Sequence, residues 1–345
     1  MNYQSKKKIN KYLLQKINSN VFKEPYLVMK NIDLVTNHIQ KKLKENGDEI
    51  HKTLNIVKTK NNDNLLTYIN SDGEKEYYRA FNYIQDCISY NNLNDSDNPL
   101  DLAYEAGKSF GLFQKLLDDF PANMLGESIK DFHNIQKRFD DLILSIENKI
   151  TNRAFEFDKE IIDLISMLKE CNIINESIGK NIPIRVAHND TKLNNILINQ
   201  KTKVGVVVID LDTVMPGSSL FDLGDGIRSA CSNSFETETD PEKIFLDLNL
   251  TKAYLKGYLE EMALYLTKSE IDNIALSIKA LTYELAIRFL TDYINGDTYF
   301  KIEHPTQNAD RFKNQYLLLK DIEKKQDEIQ KYVKNIIEEI KQDQK

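Results

Sequence analysis

Residues 183–212, PIRVAHNDTKLNNILINQKTKVGVVVIDLD, restrict the fold more than any other part of the chain. Val204-Gly205-Val206-Val207-Val208-Ile209 is short and, apart from its glycine, β-branched, which reads as a buried strand. Ile196-Leu197-Ile198 is a second short strand, and the polar run 199–203 between them is a turn. A hairpin is therefore predicted, with Asn195 entering one strand and Asp210 leaving the other, so that the two lie close together. A carboxylate at a strand end can leave the core and face a ligand. His188-Asn189-Asp190 comes just before, with Asp190 five residues ahead of Asn195.

These residues suit phosphoryl transfer. That reaction needs an acceptor hydroxyl held in line, a carboxylate to take its proton, and magnesium to neutralise charge on the β- and γ-phosphates. Magnesium takes hard oxygen ligands, and two or three from the protein suffice because phosphates and water complete the shell. Asp190 is the candidate base, and Asn195 and Asp210 are the candidate Mg2+ ligands. The spacing fits the catalytic-loop pattern H-R-D-x-x-x-x-N, with Asn189 in the arginine position. Lys192 is placed to touch the transferring phosphate. The plainer account is a set of loop polars beside two core strands, and a lone Asp would not displace it. His, Asp and Asn at fixed offsets, followed by a strand-ending Asp, favour the functional account. His188 reads as a structural residue that fixes the loop, and Asp212 as a second metal ligand or a turn cap.

Composition narrows the partners. With 345 residues the chain can build two lobes, each with its own core. A formal charge of -7 argues against nucleic acid as the main partner. No apolar run approaches the 18 or so residues of a membrane span, and the N-terminus has no apolar signal core. Cys87, Cys171 and Cys231 are widely spaced and read as reduced thiols in a cytoplasm.

Along the chain, Tyr12 to Ile17 reads as a strand and Tyr26 to Leu43 as a helix, with Val28, Ile32, Val35 and Ile39 on one face. Leu54–Val57, Leu65–Ile69 and Tyr77–Ile84 are predicted strands. Asn91 to Pro99 is a polar linker, and Asn98 caps a helix that has Pro99 at its first position. Residues 138–171 are mostly helical with a break near Thr151-Asn152. Asp222 is expected to cap the helix after Met215–Ser219. Residues 252–266 and 268–291 are helices, and 321–342 is a charged amphipathic helix that docks on the larger lobe.

The segments HNDTKLNN and VVIDLDTVMPGSSLFDLGDGIR resemble the aminoglycoside phosphotransferase and choline kinase superfamily, and within it the N-acetylhexosamine 1-kinases. YLLQKINSNVF, YYRAFNYIQD, YEAGKSFGLFQKLL, DFHNIQKR and IRFLTDYINGDTYFK extend the resemblance over about residues 10 to 320. It implies an α+β, two-lobed, protein-kinase-like fold. Residues 1–90 would be a nucleotide-binding lobe of antiparallel sheet plus one helix. Residues 91–345 would be a mainly helical lobe with the catalytic loop and acceptor site. The first glycine is Gly47 and Asn2-Tyr3-Gln4 looks like the tail of a second strand, so the family's first strand and phosphate-covering loop are expected to be missing.

The same resemblance implies ATP as co-substrate with Mg2+, and N-acetylglucosamine or N-acetylgalactosamine as acceptor at the anomeric hydroxyl. Gln15 or Lys16 would reach the nucleotide phosphates, and Asn82, Tyr83 and Ile84 would line the adenine. Asn189, Arg288, Asp292 and Tyr299 would contact the sugar, although Arg288 and Asp292 lie four apart and could simply pair on a helix. A cytoplasmic monomer or weak homodimer with small-molecule partners is expected. Two other readings stay open. One is another small-alcohol kinase acting on choline, an amino alcohol or an aminoglycoside, for which 17 Tyr without any Trp could still form a cation cage. The other is a non-catalytic binding relic.

Overall fold

The computed structural model describes the backbone of residues 2–5 and 8–343, and side chains from residue 10 to residue 343. The N-terminal lobe is a four-stranded antiparallel sheet covered by one helix. Its elements are β1 (Asn2–Ser5), β2 (Lys8–Lys16), α1 (Pro25–Glu45), β3 (Leu66–Ile69) and β4 (Lys75–Asn82), with sheet order β1-β2-β4-β3. Pro25 starts α1, where a missing N–H costs nothing. Val28, Ile32, Val35, Ile39 and Leu43 bury one face of that helix. The predicted strand Leu54–Val57 does not join the sheet, since only Ile56 forms a bridge, to Phe81. The β4 strand ends at Asn82, two residues before the predicted Ile84.

Register decides which β2 side chains face inward. Gln15 pairs with Arg79 and Lys16 with Tyr78. Successive residues of a strand point to opposite faces, so Gln15 and Arg79 share one face and Lys16 takes the other.

The rest of the chain is mainly helical. After β5 (Cys87–Ile88) come α2 (Pro99–Leu116), α3 (Ile135–Asn148), α4 (Asp158–Cys171) and α5 (Ile173–Ser177). Asn98 caps α2 by accepting from the Asp101 N–H. Next follow β6 (Arg185–Ala187), β7 (Ile196–Asn199), β8 (Gly205–Val208), β9 (Met215–Gly217) and α6 (Ser219–Ala230). The chain closes with α7 (Leu248–Met262), α8 (Lys268–Asp272), α9 (Ile274–Ile294) and α10 (Gln307–Asp343). The helix expected over 268–291 is thus two, divided at Asn273. The last helix begins fourteen residues earlier than the 321–342 stripe suggests, because Ala309, Phe312, Leu318 and Leu319 continue its buried face. Its side chains Ile322, Ile329, Val333 and Ile336 are buried, and it packs on α9 and α7. The α9 helix is buried around most of its circumference and holds the lobe together. Within it, buried Lys279 reaches Glu170 at 2.7 Å and Glu323 at 2.9 Å, tying α9 to α4 and α10.

The α2 and α7 helices touch backbone to backbone. A Cβ on Gly107 would stand 2.0 Å from the Tyr254 carbonyl oxygen, and one on Gly257 would stand 2.1 Å from that of Tyr104. Backbone cannot swing aside as a side chain can. Gly107→Ala is therefore expected to destabilise the protein by about 1–3 kcal/mol, the usual cost of overpacking a core. A urea melt checks this, and an unchanged midpoint would mean that the helices separate at no cost.

Candidate active site

The hairpin β7–β8 forms with Ile196 opposite Val208, and the Ile209 N–H donates to the Asn195 carbonyl at 2.8 Å. Asn195 and Asp210 are thereby adjacent, as the strand pattern predicts. Asp210 itself has φ 59°, a left-handed conformation that Asp tolerates better than most residues. That bend leads directly into the short turn Leu211–Thr213.

The loop between β6 and β7 is anchored from below. Asp222 does not cap α6; Ser218 does, accepting from the Leu220 N–H at 3.2 Å. Buried in the first turns of α6, Asp222 accepts the His188 N–H at 2.8 Å and the Asn189 N–H at 2.7 Å. It also accepts from Gln114 Nε2 at 2.6 Å. Burial pushes its carboxyl pKa up, against the pull of these donors and of His188. The His188 ring packs edge-on to Phe110 and Phe113. One ring nitrogen meets the Ile209 carbonyl at 2.9 Å and the other accepts the Asp190 N–H at 3.3 Å. Asn189, with φ 65°, gives its carboxamide to the carbonyls of Ala187 and Thr213 and is only 4% exposed. Its side chain belongs to the loop rather than to an open substrate surface.

Asp190 carries its carboxylate between two partners. Oδ1 is 2.9 Å from Lys192 Nζ, and Oδ2 accepts from Asn195 Nδ2 at 3.2 Å. Partial desolvation works against the charge on Lys192, whose side chain is half exposed, but Asp190 and Asp225 outweigh it and raise its pKa. Asn195 uses Nδ2 on Asp190, including the backbone carbonyl at 2.7 Å, which leaves Oδ1 as the oxygen that could meet a cation. The Asp210 carboxyl is raised above its ordinary pKa by burial first, then by Asp212 and Asp190. A divalent cation would relieve that repulsion. No group of three or more His, Cys, Asp or Glu side chains among the described residues is arranged as a metal cage. The set is instead the sparse one that suits a metal shared with phosphates.

A cavity of about 280 Å³ opens above these residues, between the lobes. It brings together Gln15, Asn82, Tyr83, Ile84, Asn195, Asp210 and Asp212. Lys16 is not in its lining. It lies on the other face of the sheet, half exposed, with Nζ 2.6 Å from Glu76, whose carboxyl it draws down to about 2. The Asn82 and Tyr83 N–H groups are already bonded to the carbonyls of Asn55 and Lys11. Asp86 accepts from the Gln200 N–H and Cys87–Ile88 pair with β7, so the backbone open to a base would be that of Ile84 and Gln85. Sequence reasoning missed Arg79, which is buried in this cavity and ion-paired with Asp212.

A second cavity, about 270 Å³, contains Arg288, Asp292 and Tyr299 together. Arg288 and Asp292 do not pair. The guanidinium of Arg288 is 3.7 Å from Glu284 and lies over the rings of Phe132, Tyr299 and Phe300. Asp292 accepts the N–H groups of Thr298, Tyr299 and Phe300 at 2.7–2.9 Å, and Asn308 Nδ2 at 2.9 Å. It shapes the loop that presents Tyr299 and has little capacity left for a ligand. Arg138 also lines this cavity, although the segment DFHNIQKR drew attention to the stretch and not to its arginine. Burial, then the neighbouring Arg288, lowers the Arg138 pKa. Arg138 Nε, Thr291 Oγ1 and Glu284 Oε1 are buried without hydrogen-bond partners. Of these, Arg138 and Thr291 line the cavity, and unpaired buried polar atoms there are what a polar ligand would satisfy.

His133 joins this cavity to the loop that carries Asn189 and Asp190. Its ring reaches Glu284 at 2.8 Å and the Asn189 carbonyl at 3.2 Å. Burial works against its charge, but Glu284 outweighs burial and raises its pKa. Both ring nitrogens face acceptors, as an imidazolium requires.

A two-lobed fold of this kind, with an Asp–Asn–Asp set at the lobe junction, defines a kinase-like phosphotransferase. The profile of the APH phosphotransferase enzyme family matches residues 64–265, and the chain belongs to that family. It is a small-molecule phosphotransferase. Solved structures share the fold. A microcompartment-associated aminopropanol kinase is 12% identical with a TM-score of 0.58, over 94% of this chain and 89% of the other. The aminoglycoside phosphotransferase of Alicyclobacillus acidocaldarius subsp. acidocaldarius is 13% identical with a TM-score of 0.55, over 99% and 92%. The amicoumacin kinase hAmiN, solved with AMP-PNP, Ca2+ and Ami, is 12% identical with a TM-score of 0.55, over 94% and 84%. Among the described residues no helix is long and apolar enough to cross a membrane.

Proposed function

We propose that the chain is an ATP-dependent sugar 1-kinase that phosphorylates the anomeric hydroxyl of N-acetylglucosamine or N-acetylgalactosamine. The observation that carries the phosphoryl-transfer part is that Asn195 and Asp210 line one end of the interlobe cavity with Asp190 bonded to Asn195. Asp190 takes the acceptor's proton, and its bonds to Lys192 and Asn195 set the carboxylate's direction. Lys192 then stands beside the transferring phosphate. Asn195 and Asp210, with Asp212 as a third oxygen donor, would hold Mg2+, which neutralises phosphate charge when bound. Residues 1–90 hold the nucleotide and 91–345 the acceptor in this reading.

The Arg288 cavity supports a sugar acceptor over a cationic one. Two guanidiniums line it, and Asp292 is already bonded to four donors. The remaining acid of the lining, Asp141, is paired with Lys137, so choline or an aminoglycoside would meet two guanidiniums and no unpaired carboxylate there. Hydroxyl and acetamide oxygens suit arginine donors, and Tyr299 and Phe300 offer flat apolar faces to a sugar ring. The resemblance of IRFLTDYINGDTYFK to the N-acetylhexosamine kinases points the same way.

Arg288→Ala is expected to raise the KM for the sugar roughly ten- to hundredfold, from the loss of a charged hydrogen bond worth about 1.5–3 kcal/mol. The KM for ATP should stay near wild type. If both constants remain within twofold, Arg288 serves only to hold Glu284. The function itself is tested by incubating the protein with MgATP and a panel of N-acetylhexosamines, choline, amino alcohols and aminoglycosides. Phosphorus NMR identifies any product. A sugar 1-phosphate is expected. Phosphocholine or a phosphorylated aminoglycoside would replace the sugar reading with the superfamily alternative, and the absence of any product would favour a binding relic.

A further inference from the structure

We infer that Arg79, delivered from β4, is the cation that holds the nucleotide's α- and β-phosphates, in the role that protein kinases give to a lysine on the neighbouring strand. The inference rests on the interlobe cavity being the nucleotide site. Two carboxylates, Asp210 and Asp212, line the end of that site where a polyphosphate would lie, and Asp190 is bonded to the lining residue Asn195. Lys192 and a bound Mg2+ would serve the transferring end, and the phosphates nearer the base still need a positive partner on the cavity wall. Arg79 is the one cationic residue among the described residues that line the cavity.

The lysine of protein kinases comes from the adjacent strand, where register turns Lys16 away and Lys11, four residues from Gln15, lies by Tyr83 instead. Gln15 occupies the inward position opposite Arg79, and Lys16 faces outward and is paired with Glu76. Nor does the lobe's helix offer the acid that holds such a lysine in protein kinases. The buried face of α1 carries Val28, Met29, Asn31, Ile32 and Val35. Its Asn31 is bonded to the carbonyls of Gly126 and Val214.

Arg79 instead has the supports that a phosphate-binding guanidinium needs. Its Nε donates to Gln15 Oε1 at 3.1 Å, its Nη1 pairs with Asp212, and its Cζ lies 5.2 Å from the Phe81 ring centroid. Nη2 donates to no protein atom among the described residues, yet it is not sealed from solvent. A side chain about 5% exposed thus keeps one donor edge open to the cavity. Gln15 and Asp212 hold the fork in place, so little rotamer freedom is lost on binding. Asp212 is its resting counter-ion. An arginine at this point also resists loss of charge near buried apolar groups better than a lysine.

The test compares adenosine with ADP, in magnesium-containing buffer, by isothermal titration calorimetry on the full chain. Arg79→Gln is expected to weaken ADP roughly ten- to hundredfold while adenosine stays within twofold, since only ADP carries the charge that Arg79 meets. Lys16→Ala should leave ADP unchanged. Adding Gln15→Lys to Arg79→Gln returns a cation across the same strand pair and should recover part of the ADP affinity. The proposal is overturned if Arg79→Gln weakens adenosine and ADP equally, which would make Arg79 a strut of the lobe. It is also overturned if ADP affinity is unchanged, or if Lys16→Ala carries the loss. Wild-type protein that binds neither adenosine nor ADP would remove the nucleotide site itself, and Arg79's role with it, which is a different outcome from failure of Arg79 alone.

Discussion

Asp190→Asn should lower turnover by a factor on the order of 10² to 10⁴, the range for loss of a general base. Asparagine has nearly the same shape as aspartate and can still reach Asn195, so the loop should keep its form. Its anchors lie elsewhere, in Asp222 below and in His188 between two phenylalanine rings. The variant loses only the capacity to accept a proton and the ion pair with Lys192. That pair is substantially exposed on the Lys192 side and contributes little to stability. Folding should therefore be unchanged by circular dichroism and thermal melting, and KM for both substrates should move less than kcat. Wild-type turnover in a correctly folded variant would remove Asp190 from the chemistry.

The second large effect is expected at Asp210. Replacing it by Ala takes a carboxylate from the candidate Mg2+ position and leaves Asn195 Oδ1 as the remaining oxygen of the pair. The loss of activity should exceed the roughly 10- to 100-fold that removal of an outer-shell partner costs. Alanine also fits poorly at φ 59°, so Asp210→Asn is the companion variant that keeps the backbone preference while removing the charge. Both should retain affinity for the acceptor sugar, because Arg288 and Tyr299 line a separate cavity. Calorimetry with the sugar, and kinetics over a magnesium titration, read the two effects apart. Full rescue by added magnesium at ordinary ATP concentration would make Asp210 peripheral.

A neighbouring residue gives these two predictions a shared context. Removing Asp210 should lower the repulsion on Asp212, since the two carboxylates oppose each other's charge. Asp212 remains tied to Arg79 in that variant, so the cavity keeps one acid–base pair at its phosphate end.

The parts that could be read from the sequence are those whose geometry is local. The hairpin of 196–208 follows from two apolar runs and a polar turn, and its register puts Asn195 beside Asp210 without help from the rest of the chain. The α2 start at Asn98-Pro99 and the buried stripe of α1 are equally local, being set by capping and by a repeat of three to four residues. The break near Thr151-Asn152 falls between α3 and α4 as the composition suggests.

Local rules failed where a partner lies far along the chain. Asp222 looks like a helix cap from its neighbours, yet its carboxylate is taken by the loop thirty-odd residues earlier. Arg288 and Asp292 look like a pair at helical spacing. Each is instead turned to a different partner, because the loop 298–300 and Asn308 fold back onto Asp292 while Glu284 and the aromatic rings hold Arg288. The choice between Gln15 and Lys16 needed the pairing register of β2 with β4, since alternation alone does not say which face is inward.

By itself the sequence determined the β7–β8 hairpin, the helical character of the second lobe and the placing of Asn195 beside Asp210. These depend on turns, periodicity and side-chain type within a few tens of residues. Only the tertiary structure decided that Arg79 meets Asp212, that Arg138 stands beside Arg288, and that Asn189 turns into its own loop. The two arginine meetings join residues more than a hundred positions apart, and Asn189 is drawn to Thr213, 24 residues on. They are settled by which surfaces bury against each other, and no short-range pattern encodes that.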